Sequence, residues 1–223
     1  MTDLSTFNIA IDVVSDTVCP WCFIGKRRLG KALASRPQIN FTVRWRAYRL
    51  DPTVPRQGLE RRAYMKARFG DDDRIRQIGE AIRDAGSKEN IHFAYDRIAR
   101  TPNTLDSHRL IRWAASAGVQ DQVVEHLFKA YFEEGRDIGS ATVLCDIAAA
   151  AGMELDLVSR LLTSDADVEL IEREDALAHQ MGISGVPTFI FANRYATSGA
   201  HEPEVLLQVI DRLLDEAGAA TGA

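Results

Sequence analysis

Apolar residues along this chain follow two different periods, and the change from one to the other divides it into three stretches. In "FNIAIDVV", 7–14, Ile9, Ile11 and Val13 share one face and Ala10 and Val14 largely the other, which predicts a strand buried on both sides. From Pro20 the spacing lengthens. Leu29, Ala32 and Leu33 form a helical stripe that reaches back to Cys22, while Lys26, Arg27 and Lys31 stay polar. Pro20 suits a first helical turn, where the amide it lacks would have no partner, and Pro37 closes the segment. "INFTVRWRAY", 39–48, then alternates cleanly, with Ile39, Phe41, Val43, Trp45 and Ala47 against Asn40, Thr42, Arg44 and Arg46, and predicts a second strand.

For more than a hundred residues after that only the helical period recurs. Its stripes are Ile75, Ile78, Ile82 and Ala85; Leu105, Ile111 and Ala115; Val124, Leu127, Phe128 and Tyr131; and Val143, Leu144, Ile147 and Ala151. Gly86, Gly118, Gly135 and Gly152 stand where helix C-caps are expected, and Ser140 where an N-cap is. Strand character returns over 186–199 as two short runs flanking Asn193-Arg194, the expected hairpin turn. A closing helix follows from Pro203, with Leu206, Val209, Ile210, Leu213 and Leu214 inward; the tail 217–223 is expected to fray. The order is β-α-β, an all-helical block, then β-β-α. Neither flank has strands enough for its own sheet, so 1–55 and 183–223 are read as one discontinuous domain and 56–182 as an insertion.

Composition narrows the function classes. A net charge of −5, with 46% hydrophobic and 26% charged residues, describes an ordinary globular chain and gives no reason to expect nucleic acid or an anionic membrane as partner. No apolar run is long enough to span a bilayer, and the N-terminus lacks the features of a secretory signal, so the expected location is the cytoplasm. Three cysteines are too few for a disulfide scaffold.

The candidate chemistry lies in "SDTVCPWCFIGKRRL". Cys19 falls at the predicted helix N-terminus and Cys22 one turn in. Free amides and the helix dipole favour a thiolate at such a place, a resolving thiol sits three residues on, and Lys26, Arg27 and Arg28 add a modest field if they lean back. On this reading Cys19 attacks and Cys22 resolves, and Cys19 is the more acidic and exposed thiol. Two other readings stand beside it. Half of a metal site would need two more ligands, yet Cys145 and the five histidines show no paired spacing. Two buried small residues would fit Cys22 but suit Cys19 poorly.

A second motif, "GISGVPTFIF", puts Pro187 at a strand start, where it cannot donate to a sheet. Either it is a trans proline opening an edge strand, or a cis proline facing the cysteines, as in thioredoxin-type sites. "PNTLDSHRL" places Asn103 and Thr104 at a helix start and His108 a turn later, a pattern that helix capping and a surface or satisfied histidine explain.

Together with "LFKAYFEEGRDI", "IAAAAGM" and "SGAHEPEVL", these motifs resemble the DsbA-like thioredoxin superfamily nearly end to end, in its FrnE-like branch. That branch groups with 2-hydroxychromene-2-carboxylate isomerases and kappa-class glutathione transferases. The resemblance implies an α/β thioredoxin fold with a large all-helical insertion, and thiol–disulfide oxidoreductase or disulfide isomerase activity on protein or small-molecule disulfides. It assigns Cys19 as nucleophile, Cys22 as resolving thiol, Pro20 and Trp21 as the tuning dipeptide, and Pro187 as the cis proline. The isomerases and transferases typically carry serine where Cys19 stands, which argues against a purely glutathione-dependent isomerase. Glutathione remains a candidate co-substrate, its backbone near Val186 and its γ-glutamyl end near Ser198, Gly199 and Ala200. The resemblance also brings Asn103 or His108 to the cleft beside the insertion. No metal and no other cofactor is expected. A glutathione-dependent isomerase of small aromatic compounds and a chaperone-like binder are the competing functions.

Overall fold

The structure is a computed structural model that describes residues 8–221, with side chains to Gly218. Phe7 of the expected first strand and the last two residues of the tail lie outside it. β1 (Asn8–Ser15) runs parallel to β2 (Asn40–Ala47) and antiparallel to β5 (Thr188–Phe191), which pairs with β6 (Tyr195–Ser198). The sheet order is β2-β1-β5-β6, so the two ends of the chain build one sheet. Between β1 and β2 comes α1 (Pro20–Ala34), and after β6 comes α9 (Pro203–Thr221). The chain is a thioredoxin fold.

The alternation along the strands decides what each face receives. Ile9, Ile11 and Val13 of β1 and Phe189 and Phe191 of β5 share a core with Phe23 and Leu29 of α1 and Leu206 and Ile210 of α9. On the opposite face Val14 packs with Tyr48 and with Ala178 of α8 (Val168–Gln180). Asp12 interrupts the apolar run of β1 and is nearly buried there. It is held by Arg46 Nε at 2.7 Å and Arg44 at 3.0 Å across the sheet.

The stretch between β2 and β5 holds α2 (Arg61–Phe69), α3 (Asp72–Ser87), α4 (Leu105–Ser116), α5 (Gln120–Phe132), α6 (Ala141–Ala150), α7 (Leu155–Leu162) and α8. It is not all-helical. β3 (Leu59–Glu60) and β4 (Arg100–Thr101) form a separate antiparallel ladder, and Tyr95–Arg97 makes a 3₁₀ turn. The insertion shares its core with the sheet: Leu110, Leu127 and Phe128 belong to the same apolar cluster as Ile11 and Phe23.

Some local expectations shift. Gly118, Gly135 and Gly152 do follow helices with φ of 73°, 72° and 78°, but Gly86 lies inside α3. The Phe93 ring packs so closely on Gly86 that a methyl group could not fit. The α4 stripe runs through Ala114, with Ala115 exposed. Ser140 precedes α6 as expected, yet its side chain makes no capping bond. The left-handed pair at the hairpin is Ala192-Asn193, one residue earlier than expected, closed by Arg194 N–H to Phe191 O at 2.9 Å. α9 runs to Thr221, so its last turn overlaps the stretch expected as a tail.

Candidate active site

The loop from Asp16 to Cys19 joins the buried end of β1 to α1. Cys19 is the N-cap, extended at φ −90° and ψ 113°, and its carbonyl accepts from Cys22 N–H at 3.1 Å. Pro20 opens the helix as its first residue. Both cysteines are free thiols. Cys19 is 5% exposed and Cys22 fully buried, so the outer sulfur is Cys19, although by less than the helix position alone predicts. Burial pushes the Cys22 thiol well above its ordinary range, and the Cys19 sulfur beside it adds to that, against smaller opposing contacts from Ser15 and Asp16. Trp21 projects outward beside the pair, 39% exposed.

Opposite stands the loop before β5. The Val186–Pro187 peptide bond is cis, and the Cys19 thiol donates to the Val186 carbonyl at 3.6 Å. Two motifs far apart in sequence therefore meet at one sulfur. Pro187 O receives Gly199 N–H at 2.7 Å, which ties this loop to the end of β6.

The remaining singled-out residues take other places. Lys26, Arg27 and Arg28 do not lean back on the cysteines. Lys26 pairs with Asp121 at 2.8 Å, Arg27 with Glu125 at 2.5 Å, and Arg28 with buried Glu89 at 2.9 Å and with Ala200 O at 2.6 Å. Acids of other segments neutralise the basic run, so it adds little field at the site. The Ser198 hydroxyl bonds Thr188 Oγ1 at 2.7 Å, and the Gly199 amide is spent on Pro187 O at 2.7 Å. Asn103 uses its amide group on Val54 O and its oxygen on Leu105 N–H, so it ties two backbone segments together.

His108 is buried, with Nε2 3.1 Å from Tyr48 O and 3.3 Å from Asp16 Oδ1. Asp16, which the sequence motifs do not single out, holds the same loop. Its backbone carbonyl takes the Cys19 amide at 3.1 Å and its Oδ2 takes Leu50 N–H at 2.8 Å. Thr17 adds a hydroxyl bond to Ser107 of α4 at 2.8 Å. "PNTLDSHRL" thus braces the reactive loop from behind. The available signal was the acid in "SDTVC", a charge at the end of a strand predicted to be buried.

Beside the loop a cavity of about 710 Å³ opens between Val18 and Pro20 on one side and α2, α3 and the 3₁₀ turn on the other. Its walls are mainly apolar, among them Ile75, Ile78 and Ile82. Asn103 and His108 are not part of them. Among the described residues no three His, Cys, Asp or Glu side chains are grouped to hold a metal ion, and no helix is long and apolar enough to cross a membrane.

A four-stranded sheet, a cysteine pair at the first helix N-terminus and a cis proline facing it define the thioredoxin class. Within it, the chain belongs to the DSBA-like thioredoxin domain family, whose pattern matches residues 10–211. It is similar to a probable DsbA oxidoreductase, SCO1869, from Streptomyces coelicolor, with a TM-score of 0.84 and 26% identity over 93% of this chain and 91% of that one. The fold is also that of a 2-hydroxychromene-2-carboxylate isomerase (TM-score 0.71, 15% identity, 95% and 98% covered). It is again that of the cytosolic disulfide reductase DsbM from Pseudomonas aeruginosa, solved with GSH (TM-score 0.66, 16% identity, 92% and 99% covered).

Proposed function

We propose that this protein is a thiol–disulfide oxidoreductase in which Cys19 attacks and Cys22 resolves. The observation that carries this is the 3.6 Å contact of Cys19 Sγ with Val186 O, at a helix N-terminus and with Cys22 buried behind it. The Cys19 thiolate attacks one sulfur of a substrate disulfide, and the other sulfur leaves with the electron pair and takes up a proton. Deprotonated Cys22 then attacks the Cys19 sulfur. The second substrate thiol departs, and the protein is left with a Cys19–Cys22 disulfide. An extended substrate would pair with the Val186 backbone, in the manner of strand addition. The direction of net electron flow follows from the reduction potential of the pair against its compartment, for which this reading takes the cytoplasm.

Insulin reduction driven by dithiothreitol tests the proposal. Wild type should accelerate it and Cys19→Ser should not; equal rates with and without the wild-type protein would overturn the reading and leave a chaperone-like binder. The apolar cavity beside Cys19 favours one alternative, a glutathione-dependent isomerase of small aromatic compounds. Turnover of such a compound by Cys22→Ala at the wild-type rate would decide for it.

A further inference from the structure

The cavity beside Cys19 carries charges that the fold leaves unspent. Most of its ionic groups are engaged. Arg62 pairs with Asp72, Arg68 with Asp51, and Arg76 with Asp73, while Glu60 caps α2 through Arg62 N–H and Ala63 N–H. Asp96 also lines it and is exposed to solvent. Arg61 and Arg83 are different: among the described residues neither has a carboxylate partner. Arg61, half-buried, gives one N–H to Tyr131 Oη at 3.0 Å and lies 5.6 Å from the centre of the Tyr95 ring. Arg83, more exposed, lies 5.8 Å from the centre of the same ring. The Tyr95 hydroxyl is itself buried with no hydrogen-bond partner, which costs stability unless a ligand completes it. Burial pushes that phenol up against the opposing pull of Arg61 and Arg83, and the Cys19 sulfur is near enough to add to the shift. It is therefore a neutral donor at working pH.

Resting on the oxidoreductase reading above, we propose that this cavity binds the apolar, negatively charged half of a low-molecular-weight disulfide. Its anion lies between Arg61 and Arg83 and takes the Tyr95 hydroxyl proton as a hydrogen bond, its apolar body lies against Ile75, Ile78 and Ile82, and its sulfur faces Cys19. A pocket that is apolar with a few convergent polar groups suits such a molecule, and guanidinium groups suit a carboxylate or a phosphate alike. The reaction is the exchange already written: one substrate S–S bond breaks, one protein S–S bond forms, and two electrons pass from the protein dithiol to the disulfide, which leaves as two thiols.

Two coloured probes test it. Dithiobis(nitrobenzoate) is an aromatic disulfide with two carboxylates, and dithiodipyridine is an aromatic disulfide with none. Rates of the fully reduced protein with each should diverge on mutation. Arg83→Gln should slow the anionic probe about threefold, as an exposed charge allows. Arg61→Gln combined with Arg83→Gln should slow it about tenfold, while the neutral probe changes less than about twofold. Arg74→Gln removes an equal charge from α3 outside the cavity wall and should leave both rates unchanged. A phosphate-bearing disulfide run beside the carboxylate probe identifies which anion is preferred, by the larger loss in the double variant. Thermal melts confirm that each variant is folded; Tyr95→Phe, which keeps the ring, should show the same selective loss if the double variant does not fold. Equal slowing of both probes, or none, in folded variants overturns the anion site. Failure of wild-type Cys19 to react with either probe overturns the oxidoreductase reading instead.

Discussion

The ring of Pro187 occupies the space where a side chain on Gly25 would have to go. A Cβ built at Gly25 lies 2.8 Å from Pro187 Cγ and 3.1 Å from Phe189 Cζ. The first helix and the proline loop, which bring Cys19 and Val186 together, meet at this glycine.

Gly25→Ala should therefore destabilise the fold by about 1–2 kcal/mol, because overpacking exceeds the helix propensity gained. Gly30→Ala, on the same helix with nothing within 4 Å of the added methyl, should stabilise by about 0.5–1 kcal/mol. Chemical denaturation of both proteins checks this; the same sign for the two would mean that the contact is not tight.

Iodoacetamide should modify Cys19 before Cys22 in the reduced protein. Cys22 is sealed and its thiol pushed up, so its alkylation should require pH well above the usual thiol range. Cys145, half-exposed, is held up by burial and by Asp146, and should follow Cys19. Peptide mass spectrometry across pH gives the order, and early labelling of Cys22 would reverse the assigned roles.

In Cys22→Ser the resolving step is removed. Oxidised glutathione should then leave a single stable adduct at Cys19, visible by intact mass, whereas wild type should discharge it. If Cys19 still attacks a protein disulfide readily while no glutathione adduct forms, the co-substrate expected from the family resemblance is excluded.

Glu89 sets an acid limit. Burial would raise its carboxyl, but Lys31 at 2.7 Å and Arg28 at 2.9 Å hold it below the ordinary carboxylate value. A folded-state pKa lower than the unfolded one adds stability above the unfolded pKa and loses it as pH falls through the folded one. Wild type should thus lose stability on acidification below the normal carboxylate range. Glu89→Gln should cost about 2 kcal/mol at neutral pH and flatten that dependence, as urea melts at several pH values would show.

What could be read in advance was what a local period or one residue's backbone chemistry encodes. The alternation of 39–48 marked β2, and Pro20 fixed the start of α1 and with it the place of Cys19. Pairings across the chain were not legible. Lys26, Arg27 and Arg28 find acids at Asp121, Glu125 and Glu89, on segments with no local relation to α1. Gly86 resembled a cap because the ring of Phe93 that demands it arrives by tertiary packing. A ladder as short as β3 with β4 has no period to detect. Arg61, Arg83 and Tyr95 sit on three different elements, and nothing in their spacing announces a common wall.

The bracing of the reactive loop by α4 has a consequence for any attempt to shrink this protein. Splicing Pro55 directly to Ile183 would retain every strand of the main sheet and both cysteines. It would also delete Ser107 and His108, so Thr17 would lose its hydroxyl partner and Asp16 one of the two groups that hold its carboxylate. The carboxylate would then be drawn towards water, carrying with it the carbonyl that fixes the Cys19 amide. The nucleophile's posture is thus a property of the inserted helices as much as of the fold they interrupt, and a minimal version would keep the sulfur but lose its aim.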